Sequence, residues 1–302
     1  MKLKFDVPSK AQPDPFIFED NGTFYLYVTA LNGVEAYYAD DLFGEWKYHG
    51  IVCTVDGCKN YWAPCVIRHN GRYYMYFSCQ NDRFFQWLHA AEADSPLGPF
   101  TNPTLLYDRF TIDAHAVKTD EGLFLFYAEE NWEPERFGVR IFVDRLIDPY
   151  TPANLRREII IPSFDKEISH PNRYGDGRDW HTLEGPFWFQ EGGWQYVMYS
   201  GANFENDSYH IGYAAARSDA ADLTAVDFQK HTDGGKFAPT LIKNETEEGT
   251  GHHSVIKYKG EYYAIYHGRD IAAGKNRPEN NRRTARVCRL TVRDGIITAE
   301  RI

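Results

Sequence analysis

Four ionisable residues stand at the heads of short apolar runs, and together they could perform acid–base chemistry. Five segments share this shape, with a glycine turn eight or nine positions after the first residue and then alternating aromatic residues; their first residues are Asp14, Ala63, Asp113, Glu184 and His252. Carboxylates with separated pKa values serve general acid–base catalysis, and hydrolysis of a glycosidic bond needs one such pair. The alternative is that each carboxylate caps backbone donors at a turn. Placing three like charges together out of water is costly, and folding alone gives no reason to do so. Three carboxylates at one repeat position therefore favour catalysis.

The repeat also predicts the elements that position these residues. An apolar run, a turn with Asn-Gly or Gly, and a second alternating run are typical of a β-hairpin. Five hairpins, each with room for two further strands, predict an all-β fold: a five-bladed β-propeller with four-stranded antiparallel blades, in a single domain over residues 1–302. A β-sandwich would also contain many short strands, but it would not repeat one hairpin five times. Because the innermost strands of a propeller surround one channel, the heads of the repeats are predicted to converge there.

Composition and sequence patterns limit which partners the protein could bind and indicate where it is located. The formal net charge of −10 argues against nucleic acid, and no run approaches the ~18 apolar residues of a membrane-spanning helix. Aromatic residues make up 16% of the chain and can stack on sugar rings, so a small oligosaccharide is the predicted partner. The N-terminal residues lack the apolar core of a signal peptide, and the five cysteines are expected to be reduced thiols. Both observations predict a cytoplasmic location.

Five short motifs carry a resemblance to a known family. They are Asp14-Pro15-Phe16, Trp62-Ala63-Pro64, Ile112-Asp113, Glu184-Gly185-Pro186 and Gly251-His252-His253-Ser254. Their order, each at the head of its own hairpin, resembles glycoside hydrolase family 43 over essentially the whole chain.

The resemblance implies a five-bladed propeller that hydrolyses arabinose- or xylose-containing glycans with inversion at the anomeric carbon. It implies Asp14 as general base, Glu184 as general acid, and Asp113 as the carboxylate that raises the pKa of the acid and orients it. Inversion further implies that base and acid lie roughly 6.5–9.5 Å apart, with room for water between them.

The last motif departs from the family pattern, and it contains the residue on which a metal site would depend. His253 stands where Asn is usual, and the resemblance implies that His252 helps to hold a calcium ion through waters at the propeller axis; the alternative is a structural imidazole. The structural imidazole is the default, because calcium prefers oxygen ligands. No cofactor is predicted to be required.

Several further side chains are candidates for substrate binding. Trp62 is the first choice for sugar stacking, and the others are Phe16, His115, Trp180 and Arg269. Core packing is the alternative for each aromatic residue, and capping of a strand end is the alternative for Arg269. Arg282 and Arg283, with Arg277 and Arg286, are expected to lie on a solvated loop and strand.

These features favour one enzyme among several alternatives. The long segment 131–179 is expected to close one rim of the pocket and restrict the enzyme to chain ends. The predicted function is an inverting exo-α-L-arabinofuranosidase acting on oligosaccharides from arabinan or arabinoxylan. β-Xylosidase and galactofuranosidase are alternatives on the same scaffold. A non-catalytic sugar-binding propeller and a protein-interaction propeller are alternatives from other classes.

Overall fold

The structure, a computed structural model, describes residues 1–81, 85–271 and 282–302. Its strands follow one another as antiparallel meanders. The first unit contains β1 (Lys4–Phe5), β2 (Phe16–Asp20), β3 (Thr23–Val28), β4 (Val34–Ala39) and β5 (Glu45–Cys53). The second contains β6 (Lys59–His69), β7 (Arg72–Gln80), β8 (Gln86–Ala93) and β9 (Thr101–Leu105). In both units the strand that opens the sequence repeat pairs with the next strand along the chain.

The remaining strands form three further units. The third contains β10 (Thr111–Thr119), β11 (Gly122–Asn131), β12 (Gly138–Asp148), β13 (Thr151–Pro152) and β14 (Arg157–Ile160), and β15 (Ile168–His170) follows it. The fourth contains β16 (Trp180–Glu191), β17 (Trp194–Gly201), β18 (His210–Arg217), β19 (Gln229–Lys230), β20 (Thr232–Asp233), β21 (Lys236–Phe237) and β22 (Leu241–Ile242). The fifth contains β23 (Glu247–Tyr258), β24 (Glu261–Asp270), β25 (Thr284–Arg293) and β26 (Ile296–Arg301). Two single-turn 3₁₀ helices lie at Asp165–Glu167 and Leu223–Ala225.

The predicted all-β fold is confirmed, but the hydrogen-bonded sheets do not separate five blades. The third and fourth units are joined into one sheet, because Gly138 and Val139 of β12 pair in parallel with His181 and Thr182 of β16. Gly138 permits this approach, since a Cβ atom there would lie 2.0 Å from the carbonyl oxygen of His181. The blade count therefore rests on the repeat and on side-chain packing.

Side-chain packing connects the units in a closed ring. One buried cluster lies between each consecutive pair of units, and the cluster with Leu26 and Trp46 of the first unit also contains Ile265 and Val287 of the fifth. The N-terminal residues reinforce this closure: the amide of Leu3 donates to the carbonyl oxygen of Ala285 at 3.1 Å, while β1 pairs with β5. The fold is therefore a propeller, in which every blade is covered on both faces.

The hairpin turns agree with the sequence prediction. Consecutive residues with positive φ connect the first two strands of four units, at Asn21-Gly22, Asn70-Gly71, Gly192-Gly193 and Lys259-Gly260. Positive φ at both central residues defines the turn that suits the right-handed twist of paired strands, which explains the Asn-Gly pairs. Among the described residues, no helix is long and apolar enough to cross a membrane.

Candidate active site

A left-handed residue stands at the head of the repeated hairpin in every unit, just before β2 in the first unit and inside β6, β10, β16 and β23 in the others. The five residues and their φ angles are Asp14 (51°), Ala63 (46°), Asp113 (61°), Gly185 (57°) and His252 (44°). This conformation is unfavourable for residues with a Cβ atom, and such strain concentrates at functional sites. In the second to fifth units the pairing register shifts at this point, as in a β-bulge. Bulges re-aim side chains, and here the side chains of Asp14, Asp113 and His252 reach one pocket.

The left-handed position corrects the repeat alignment in the fourth unit. The sequence analysis placed Glu184 at the same repeat position as Asp14 and Asp113, but Gly185 occupies that position. Glu184 lies one residue earlier, at the position of Trp62 in the second unit. Glycine suits this conformation, and it also leaves space for the ring of His252, whose nearest atoms would lie 3.4 Å from a Cβ atom at Gly185.

Two cavities lie along the propeller axis beside the left-handed residues. The outer one is a pocket of about 220 Å³, lined by Asp14, Trp62, Ile112, Asp113, Glu184, Phe204, His252 and Arg283. The inner one has a volume of about 20 Å³ and lies behind the carboxylates, among Phe16, His115, Phe187 and His253. All three predicted catalytic carboxylates therefore line the outer pocket.

Asp14 is a buried carboxylate held in its ionised form. Its Oδ1 accepts a hydrogen bond from Arg283 Nη1 at 2.9 Å, and its Oδ2 accepts one from Thr29 Oγ1 at 2.5 Å. Burial by itself would raise the pKa of Asp14, but the opposing contributions, led by the charge of Arg283, hold that pKa well below its usual range. An ionised carboxylate with an open side toward the pocket can accept a proton from water.

Glu184 has the opposite electrostatic environment. Burial raises the pKa of Glu184 to about 7, and the charge of Asp14 adds to this effect. The Tyr209 hydroxyl donates a hydrogen bond of 2.6 Å to Glu184 Oε1, and this contact partly offsets the rise. A carboxyl group that keeps its proton near neutral pH can deliver it to a leaving oxygen.

Asp113 interacts electrostatically with both Asp14 and Glu184. Its Oδ2 accepts a hydrogen bond of 3.0 Å from the amide of Gly185, next to Glu184. Burial raises the pKa of Asp113 well above its usual range, and the charges of Glu184 and Asp14 add to the rise. Asp113 therefore holds its proton more strongly than an ordinary aspartate, and it fixes the left-handed turn that carries Glu184.

Two buried histidines complete the surroundings of Asp14. His252 Nδ1 lies 3.4 Å from Asp14 Oδ1 and 3.8 Å from Asp113 Oδ2. The amide of Asp14 donates to His267 Nδ1 at 3.1 Å. Burial lowers the pKa of both imidazoles, that of His267 to about 3, so both are neutral at neutral pH.

The predicted substrate residues divide into one inside the pocket and four outside it. Trp62 lines the pocket and is 37% exposed, as expected for a stacking residue. Phe16 and His115 instead line the inner cavity, because the left-handed residue two positions before each of them breaks the simple alternation of side chains. Trp180 is buried against Phe137, with ring centroids 5.4 Å apart.

Arg269 is also outside the pocket. It is buried and forms an ion pair of 2.8 Å with Glu248, its cross-strand partner in β23. The expectation of a solvated arginine stretch was wrong for two of its members, since Arg283 lines the pocket and Arg286 is buried against Glu247 at 2.7 Å. Arg277 lies outside the described residues.

Sequence reasoning missed Arg283, Phe204, Ile112 and Tyr209. Ile112 could have been found, since it shares the repeat position of Trp62. Arg283 stacks over the ring of Phe204 at 4.5 Å. Phe204 lies in the connection between β17 and β18, and Arg283 immediately precedes β25, so both are outside the repeated hairpin.

The donors near His252 do not fit the calcium ion that the family resemblance implied. Ligand atoms of Asp113, Glu184 and His252 lie within 4.8 Å of one another. This set offers two carboxyl groups and one imidazole, so a calcium ion would have to take most of its oxygen ligands from water. Calcium also takes six to eight oxygen ligands, and the inner cavity of about 20 Å³ has space for about one water molecule.

A propeller whose axial pocket holds one ionised carboxylate and one proton-retaining carboxyl group has the equipment of a glycoside hydrolase. The chain belongs to the glycosyl hydrolases family 43, whose sequence model matches residues 7–297. This confirms the resemblance inferred from the five motifs.

The relatives include enzymes named for both xylose and arabinose, and a solved structure shares the fold. The chain is 22% identical to xylosidase/arabinosidase 43A of Humicola insolens, over 88% of this chain and 84% of that protein. It is 23% identical to a xylosidase/arabinosidase of Bacteroides ovatus, over 98% and 97% of the two chains. A solved structure of a thermostable family-43 glycoside hydrolase superposes with a TM-score of 0.80 at 27% identity, covering 96% of this chain and 93% of that chain. Membership of this family therefore establishes hydrolysis of glycosidic bonds as the reaction class, but it does not identify the sugar.

Proposed function

We propose that this protein is an inverting exo-α-L-arabinofuranosidase that releases terminal arabinofuranosyl residues from oligosaccharides of arabinan or arabinoxylan. The observation that carries the proposal is the pair Asp14 and Glu184. Both line one pocket, yet the charge of Arg283 keeps Asp14 ionised, while burial raises the pKa of Glu184 to about 7. Opposite protonation states in one pocket are what a single-step hydrolysis requires.

In the proposed mechanism, both carboxyl groups act in one displacement. Asp14 takes a proton from a water molecule, whose oxygen forms a bond to the anomeric carbon from the face opposite the leaving group. The bond from that carbon to the glycosidic oxygen breaks, and Glu184 gives its proton to the departing oxygen. Arg283 holds Asp14 in place, and Asp113 orients Glu184 through the amide of Gly185. The product anomer is inverted because water attacks directly.

The size of the pocket supports action at chain ends. At about 220 Å³ it is smaller than typical ligand pockets of about 300–1,000 Å³, which suits one sugar ring better than a continuous chain. Trp62 and Phe204 are its exposed aromatic walls, each 37% exposed, and they offer apolar faces to a sugar.

β-Xylosidase is the second candidate. The relatives from Humicola insolens and Bacteroides ovatus both carry the name xylosidase/arabinosidase. A furanose arabinose and a pyranose xylose can place their hydroxyl groups similarly in one pocket, so the same carboxylates would serve either substrate.

The test is hydrolysis of aryl α-L-arabinofuranoside and aryl β-D-xyloside in parallel, with the released anomer followed by NMR. We expect faster release from the arabinofuranoside, with the inverted anomer appearing first. Faster release from the xyloside would select the second candidate. A retained anomer would contradict the role of Asp14 as base toward water.

Variants test the two roles separately. We expect Asp14→Asn and Glu184→Gln each to lower kcat by about 10²- to 10⁴-fold, the usual contribution of acid–base catalysis. Asp144→Asn is the matched control, because Asp144 is buried outside the pocket and accepts hydrogen bonds from Tyr107 and Leu155. Near-normal activity in either pocket variant, with the control active, would overturn the assignment.

A further inference from the structure

Two exposed aromatic residues lie close together outside the pocket. Trp132 is 43% exposed and Tyr174 is 49% exposed, and their ring centroids are 5.1 Å apart at an interplanar angle of 45°. Neither residue contributes to the pocket or to the acid–base pair. We call these two residues the aromatic platform.

The platform is rigidly supported from below. Trp132 packs edge-on against the buried Trp180, with centroids 4.7 Å apart, and Tyr174 packs against the same ring at 5.8 Å. Exposed aromatic rings held in one orientation lose little entropy when a ligand stacks on them, so the platform is organised before binding.

The platform lies at the same end of the propeller as the pocket. Residues 132–137 connect the end of β11 to the start of β12, and Ile112, beside Asp113, pairs with Ala128 near that end of β11. Ile112 also packs in one buried cluster with Trp180 and Phe137, while its other side lines the pocket. The buried cluster of Ile112, Phe137 and Trp180 therefore lies between pocket and platform.

The platform is also on the side from which the leaving group departs. Glu184 lies four residues after Trp180 on β16, about 13 Å along the strand. Under the proposed function, Glu184 protonates the departing oxygen, so the remainder of the substrate must extend past Glu184. Arg173, whose guanidinium stacks 4.8 Å from the Trp180 ring centre, adds hydrogen-bond donors for hydroxyl groups beside the platform.

We propose that Trp132 and Tyr174 bind the leaving-group portion of an oligosaccharide whose terminal sugar occupies the pocket. This inference rests on the proposed function, because it uses Glu184 as the acid. The ligand is a neutral sugar chain that stacks on the two rings. The platform makes the enzyme favour oligosaccharides over short glycosides.

The experiment compares substrates of increasing length. KM is measured with aryl monosaccharide glycosides and with α-1,5-arabino-oligosaccharides and β-1,4-xylo-oligosaccharides, using the series that the wild-type enzyme hydrolyses. We expect the wild-type KM to fall as the chain lengthens. Trp132→Ala and Tyr174→Ala should each raise KM for the longest oligosaccharides about three- to tenfold, the loss expected for one aromatic stacking contact, and leave the aryl glycoside unchanged.

Two control variants separate binding from folding. Trp132→Phe keeps an aromatic ring and should retain most of the affinity for long substrates. Ile147→Ala removes an exposed apolar side chain near the opposite end of β12 and should change neither KM.

The possible results are distinguishable. An unchanged KM for long oligosaccharides, or an equal rise for the aryl glycoside, would overturn the platform while leaving the hydrolase assignment intact. A wild-type KM that does not fall with chain length would do the same. Failure of the wild-type enzyme to hydrolyse any of these substrates would instead overturn the proposed function.

Discussion

Tyr209 donates a hydrogen bond of 2.6 Å to Glu184 from a fully buried position. Its ring stacks on His267, at a centroid distance of 5.7 Å and an interplanar angle of 9°, and His267 in turn accepts the amide of Asp14. The tyrosine therefore links the surroundings of the proposed acid to those of the proposed base. It packs so closely on Gly251 that a Cβ atom there would lie 2.1 Å from its ring.

Removal of this hydroxyl group should move the pH dependence of the reaction. A general acid is active while protonated, so activity is lost as pH rises through the pKa of Glu184, about 7. The Tyr209 hydrogen bond lowers that pKa, so Tyr209→Phe should shift the basic limb of the kcat profile upward by about one pH unit. The measurement is kcat from pH 5 to 9. Tyr76→Phe is the control, since Tyr76 is a buried tyrosine that donates to the carbonyl oxygen of Pro149 outside the pocket.

Arg283 should control the acid limb of the pH–activity profile. A general base is active while ionised, so activity is lost as pH falls through the pKa of Asp14, which Arg283 holds well below its usual range. Arg283→Met should raise that pKa and move the acid limb to higher pH. It should also lower kcat/KM at neutral pH by about 10- to 100-fold, through loss of a charged hydrogen bond.

The neighbouring arginine provides a comparison for this variant. Arg282 donates to the carbonyl oxygen of Pro8 and does not line the pocket, so Arg282→Met should keep the wild-type profile. An acid limb that stays in place in Arg283→Met would show that other groups keep Asp14 ionised.

Local patterns account for the parts of the site that the sequence predicted. The Asn-Gly turns and the alternating aromatic residues define the hairpins, and the hairpins bring Asp14 and Asp113 to one axis. The misplacement of Glu184 by one repeat position was avoidable. A proline follows the left-handed residue in three units, as Pro15, Pro64 and Pro186, and this proline aligns Gly185 with Asp14.

Contacts between distant segments could not be predicted in the same way. Arg283 and Asp14 are 269 residues apart in the chain, and they meet only because the last unit closes against the first. Tyr209 reaches Glu184 from a connection between β17 and β18 whose course depends on packing. Phe16 and His115 line the inner cavity, which two-residue alternation did not indicate, because a left-handed residue stands two positions before each of them.

Chelation tests the metal prediction for His252. Because calcium takes six to eight oxygen ligands and the inner cavity holds about one water, we expect EDTA to leave both kcat and Tm unchanged. A fall in either quantity that added calcium restores, and that His252→Ala abolishes, would establish the calcium site instead.

Asp113→Asn distinguishes two roles for the third carboxylate. If Asp113 were ionised, as the family resemblance implied, its charge would raise the pKa of Glu184, and the variant would shift the basic limb downward. The structure instead opposes ionisation of Asp113, because burial raises its pKa well above the usual range, and the charge of Glu184, once ionised, and that of Asp14 add to the rise. A neutral carboxyl group and an amide carry the same charge, so we expect the basic limb to stay near pH 7 in this variant. In Asp113→Asn the side-chain oxygen can still accept the hydrogen bond from the Gly185 amide, whereas in Asp113→Ala no acceptor remains. The alanine variant should therefore have a lower kcat than the asparagine variant, since the turn that carries Glu184 would no longer be fixed. A downward shift of the basic limb in Asp113→Asn would show that Asp113 acts through its charge.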